Sequence, residues 1–152
     1  MDLRPANILY DCKRDKAKLF DFEAAVLLDH IDNIREFYIP KKRPFIPPEF
    51  RYISNIEKRK DIFISEEIDL YMLGVTLFFL LMDRYPEDLE NENSKYLEKN
   101  LRETLAKDEI LKEESTNKLV DLLVKCLSVH RYLSVKDFRD RLADIEKVEE
   151  MA

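Results

Sequence analysis

Two short apolar runs stand near the start of the chain, Ile8-Leu9-Tyr10 and Ala17-Lys18-Leu19-Phe20. The polar stretch Asp11 to Lys16 separates them, a pattern that predicts a small antiparallel hairpin with a longer loop. Residues 22–50 show no stable period and carry Pro40, Pro44, Pro47 and Pro48, so they read as a long loop. Ser65-Glu66-Glu67 then reads as a helix start, with Ser65 able to cap and the acidic pair favouring the helix dipole. Ile68 to Met82 is apolar on nearly every face and predicts a helix buried all round at the centre of a domain. It should end near Asp83-Arg84-Tyr85-Pro86. Leu97, Leu101 and Leu105 recur every four residues, the stripe of an amphipathic helix. Leu119, Leu122, Leu123 and Leu127 form a second stripe. Ser134 to Asp137 resembles a capping box, opening a helix with Val135, Phe138, Leu142 and Ile145 on one face. The expectation is a mainly α domain over residues 1–152, with one small β-hairpin near the N-terminus.

Composition sharpens this picture. Apolar residues make up 45% of the 152, enough for a real core and too many for a disordered chain. The net charge of -6 offers no global attraction to nucleic acid. Met72 to Met82 is the longest apolar run and falls short of the roughly 20 residues a bilayer crossing needs. No basic and apolar leader opens the sequence, so an intracellular place, cytoplasmic or nuclear, is expected. Cys12 and Cys126 stand far apart and read as two reduced, packed thiols. Gly74 is the only glycine, so no glycine loop within these residues can cradle a phosphate.

The candidate chemistry lies beside the hairpin. Asn7 enters the first strand and Asp21 leaves the second, so pairing brings them together across 14 positions. Oxygen ligands at such a mouth suit Mg²⁺, which takes few protein ligands and shares its shell with phosphate. Asp2 can stand near such a metal without ligating it. Taken without further pattern, all three also fit ordinary turn and strand-end positions. The basic runs Lys41-Lys42-Arg43 and Lys58-Arg59-Lys60 fit solvated charge or a grip on an acidic or phosphate group.

Asp2-Leu3-Arg4-Pro5-Ala6-Asn7-Ile8-Leu9 resembles the catalytic loop of eukaryotic-type protein kinases, with Arg4 in place of the usual Lys. Lys18 to Glu23 resembles the Asp-Phe-Gly segment, degenerate because Glu23 stands at the Gly. Ile46-Pro47-Pro48-Glu49 is similar to the Ala-Pro-Glu motif, which makes residues 21–49 an activation-segment-like loop. Asp69 to Val75 matches the start of the family's buried central helix, and Leu119 to Leu127 its penultimate helix. The first four of these run in the family's order and, with the last, imply the C-terminal lobe of a protein kinase domain, with the N-lobe missing.

The resemblance implies roles for single residues. Asp2 would orient the substrate hydroxyl, and Arg4 would hold the γ-phosphate. Asn7 and Asp21 would hold Mg²⁺ and, through it, ATP. Asp69 would brace the catalytic loop, and Arg131 would pair with Glu49. Protein substrates or protein partners are implied, together with a separate N-lobe against the hairpin. Glu23 either adds charge beside Asp21 or supplies a metal ligand. No Ser or Thr lies between Asp21 and Glu49, which excludes switching by Ser/Thr phosphorylation there. Two readings follow. The chain is a fragment of an ATP-to-protein-hydroxyl phosphotransferase, inactive alone, or it is a silent pseudokinase-type binding module.

Overall fold

The computed structural model describes residues 2–25, 43–50, 65–86, 94–107, 113–128 and 133–150. The architecture is mainly helical with one hairpin near the N-terminus, as the hydrophobic pattern predicts. Strands β1 (Ile8–Asp11) and β2 (Lys16–Leu19) pair antiparallel, with Ile8 opposite Leu19 and Asp11 opposite Lys16. The Asp11 carboxylate shapes the turn by accepting the backbone N–H groups of Lys13 and Arg14 at 3.1 and 3.3 Å. Asp15 closes it with a left-handed φ of 51°, a conformation Asp tolerates better than most residues. Cys12 lies exposed in this turn and Cys126 is buried. Both thiols are free, but only the second is packed, because a tight turn offers nothing to cover the first.

Four helices follow: α1 (Glu67–Met82), α2 (Ser94–Lys107), α3 (Glu113–Leu127) and α4 (Val135–Glu150). The start of α1 differs from expectation. Glu66, not Ser65, occupies the cap position, and no side chain caps it. The Ser65 and Glu66 carbonyls instead accept the Ile68 and Leu70 N–H groups, so the helix starts on backbone bonds. Its end lies where Asp83 turns left-handed at φ 51° and donates its N–H to the Phe79 carbonyl.

Burial along α1 covers most of its circumference up to Phe78, while Leu80 near its end is exposed. The most connected element is α3, which packs on α1, α2 and α4. Its stripe is buried as read: Leu119, Leu122, Leu123 and Leu127. A Cβ on Gly74 would lie 2.7 Å from the Cβ of Cys126. The sole glycine is therefore where α1 and α3 come closest, and any side chain there would force them apart. Leu101 and Leu105 of α2 are buried; the Leu97 side chain lies outside the described residues.

The capping box on α4 is reciprocal. Asp137 N–H donates to Ser134 Oγ at 3.1 Å, and Ser134 N–H donates to Asp137 Oδ2 at 3.2 Å. Glu66 Oε1 lies 3.4 Å from the Val135 nitrogen and ties the start of α1 to the start of α4. Phe138 and Ile145 are buried and Leu142 partly so, but Val135 is exposed. As the first residue of α4 it sits past the edge of the core, and the stripe loses that member.

Candidate functional site

The stretch before β1 is extended at Arg4, with φ -156° and ψ 162°. Alternate side chains of an extended chain point to opposite sides. Leu3 accordingly enters the core, while Asp2 and Arg4 share the other side. There Arg4 Nε lies 3.0 Å from Asp2 Oδ2. Pro5 opens a short 3₁₀ turn, Pro5–Asn7, where a missing N–H costs nothing. The turn closes with Asn7 N–H donating to the Arg4 carbonyl at 2.9 Å.

Asn7 is buried, and its Nδ2 donates to the Asp2 carbonyl at 2.8 Å. Its amide nitrogen thus pins the loop that carries Asp2. The N–H of Phe20 donates to the Asn7 carbonyl at 3.1 Å. That bond extends the ladder beyond Ile8 and Leu19 and sets Asp21 one residue from Asn7's partner.

Asp21 has a left-handed φ of 63°. A non-glycine residue held there costs of the order of 1 kcal/mol or more, and such residues cluster at functional sites. Glu23 does not have a positive φ. The backbone freedom a glycine would supply at position 23 is not used here; the unusual angle falls on Asp21. A tight turn follows, with Ala25 N–H donating to the Phe22 carbonyl at 2.9 Å.

Asp2, Arg4, Asp21, Glu23 and Ala24 line one open cavity of about 330 Å³. The structure therefore unites Asp2, Arg4 and Asp21 with Glu23, adds Ala24, and leaves Asn7 out of the lining. Three carboxylates face one guanidinium, so the lining is acidic. Among the described residues no group of three or more His, Cys, Asp or Glu side chains is placed to hold a metal ion unaided. The donors fit Mg²⁺ only in its usual manner, with the Asp21 carboxylate and Asn7 Oδ1 as few hard ligands and phosphate oxygens completing the shell.

Asp69 stands in the first turn of α1 with one carboxylate oxygen buried. Glu49 lies in the short turn Pro48–Phe50, but its side chain and all of Arg131 lie outside the described residues, as do residues 26–42 and 51–64 with most of the two basic runs. One anchor escaped the sequence reading. Tyr71, fully buried in α1, donates its hydroxyl to the Pro44 carbonyl at 3.2 Å and fixes the stretch before Glu49. Phe45 is buried beside it, edge-on to Tyr85 at 5.5 Å between ring centres. A tyrosine hydroxyl within the apolar run of α1 was the available signal.

The model of the protein kinase domain matches residues 1–145. The chain belongs to the protein kinase domain family. The serine/threonine-protein kinase ELM1 of Saccharomyces cerevisiae is 33% identical over 106 residues, a match covering 62% of this chain and 16% of the relative. The kinase-family chain thus spans a small part of that relative's length. No solved structure matches it significantly. No helix among the described residues is long and apolar enough to cross a membrane.

Proposed function

We propose that these residues form the C-terminal lobe of a protein kinase domain, acting inside the cell on a protein hydroxyl with phosphate from ATP. The cavity where Asp2, Arg4 and Asp21 converge carries this reading. Asp2 would orient the hydroxyl and accept its proton, and Arg4 would bind the transferred phosphoryl group. Asn7 and Asp21 would hold Mg²⁺, which when bound neutralises charge on the phosphates. Asp69, Glu49 and Arg131 would brace the lobe, and residues 21–49 would serve as the activation segment.

A second lobe is needed for adenine and for a phosphate loop, since the one glycine is enclosed in α1. The exposed hairpin supports this requirement. Leu9, Tyr10 and Phe22 are 61%, 59% and 55% exposed, with Leu9 and Tyr10 on opposite sides of β1, so apolar side chains on both sides of the hairpin are open to another domain. The 152 residues alone would transfer no phosphate and would bind Mg-ATP in the millimolar range, about 4 kcal/mol. Thermal melting should therefore move little with Mg-ATP. A shift of many degrees at micromolar ATP, abolished by Asp21→Asn, would overturn this account. A silent binding module is the second reading, favoured by the extra carboxylate of Glu23 in the cavity. Under it, Glu23 obstructs the phosphate site and Glu23→Gly would raise Mg-ATP affinity many-fold, whereas under the first reading the gain would stay near that of removing one charge.

A further inference from the structure

We propose that Arg4 is a latch on Asp2, released by a metal-bound oxyanion; the inference rests on reading the cavity as a phosphoryl site. Asp2 and Arg4 face each other because the chain between them is extended, and the buried Leu3 fixes that backbone. Their side chains are only 13% and 28% exposed, so water screens the pair incompletely. The pair is also unfinished. Nε stands 3.0 Å from Oδ2, yet the Nε–H is buried and has no hydrogen-bond partner among the described residues. Arg4 is thus held by charge without the directed bonds a guanidinium can make. A buried donor left unmade is destabilising, which favours any acceptor that can satisfy it.

A phosphate group offers more charge than one carboxylate and oxygens spaced for the guanidinium fork. In its absence Arg4 neutralises the carboxylate that a hydroxyl would need. When the oxyanion enters, Arg4 turns to it and Asp2 is freed. Asp21 and Glu23 line the same cavity and repel a bare anion, so the releasing group must arrive with a divalent cation. The oxygen that Arg4 binds and the carboxylate it leaves are then exposed by one event.

The test uses the 152-residue chain and magnesium tripolyphosphate, with affinity measured by calorimetry and the Arg4 Nε–H followed by NMR. Asp2→Asn removes the competitor for Arg4 and one negative charge, whereas Glu23→Gln removes only a charge from the same cavity. Asp2→Asn should tighten binding about five-fold and Glu23→Gln about two-fold, the scale of a partly exposed ion pair. In an Arg4→Met background the two substitutions should have equal effects. The Arg4 Nε–H resonance should move on titration in the wild type, and Asp2→Asn should shift it before any ligand is added. Equal tightening by both single variants, with Arg4 intact, overturns the latch and leaves the phosphoryl site standing. Binding by none of the variants overturns both.

Discussion

Leu123 on α3 and Leu9 on β1 are the same residue type in regions that use it in opposite ways. Leu123 has no exposed surface, in a core that joins α1, α2, α3 and α4. Leu9 faces outward from a two-stranded sheet. An isolated hairpin is marginal in water, because two strands cannot bury a face between them. This one keeps its register through the Asp11 turn and through Asn7, whose amide and carbonyl tie it to the Asp2 loop and to Phe20. The helices supply stability, and the hairpin spends little of it on itself. It joins the loop of Asp2 and Arg4 to Asp21 and leaves apolar side chains exposed.

Alanine substitution breaks the comparison most directly. Leu123→Ala should cost about 2–5 kcal/mol, the sum of lost transfer energy and a cavity between three helices. Leu9→Ala should stay within about 0.5 kcal/mol, as expected for a mostly exposed position. Urea denaturation of the two variants measures both. A comparable loss at Leu9 would mean that its face is covered in solution.

A covered face is what the second prediction addresses. With Leu9, Tyr10, Leu19, Phe20 and Phe22 each exposed on or just after the two sides of the hairpin, the concentrated chain should self-associate and bind a dye that reports apolar surface, despite its charge of -6. Leu9→Lys combined with Phe22→Lys should restore a monomer in light scattering. A sharp monomer peak from the unaltered chain, with no dye bound, would remove the hairpin as an interaction surface.

Most of the fold was legible because the helices bury regular stripes. The stripes failed at their ends. Val135 shares the phase of Phe138 but lies where the core stops, and period alone does not locate that edge. Ser65 looked like a cap by residue type, yet the helix starts one residue later on backbone bonds. The family resemblance named Asp2, Arg4 and Asp21, which share the cavity, and the bond from Phe20 to the Asn7 carbonyl sets Asp21 one residue beyond Asn7's partner. The Asp2–Arg4 contact was not read, although the polar-apolar-polar order of Asp2, Leu3 and Arg4 encodes it once the strand is known to be extended. The left-handed backbone lies at Asp21 and not at Glu23, which residue type at position 23 does not reveal.

The smallest effect concerns the α4 cap, which belongs to the stable region but is exposed. The two hydrogen bonds from Ser134, side chain first and backbone second, hold the Asp137 carboxyl below its ordinary value of 3.8. A proton binds the unfolded form more readily than the folded one, so the capping box adds stability at any pH well above 3.8. That contribution fades as pH falls below 3.8 and through the lower folded value, since protonation removes the acceptor both bonds need. Asp137→Asn should lower the melting temperature modestly at pH 7 and hardly at all at pH 2–3. The difference between variant and wild type should close from high pH to low. Melting curves collected across that range would decide it: a constant gap would mean that the cap acts through shape rather than charge. The same titration on Leu9→Ala should give no pH-dependent gap, because no carboxylate bonds to that side chain.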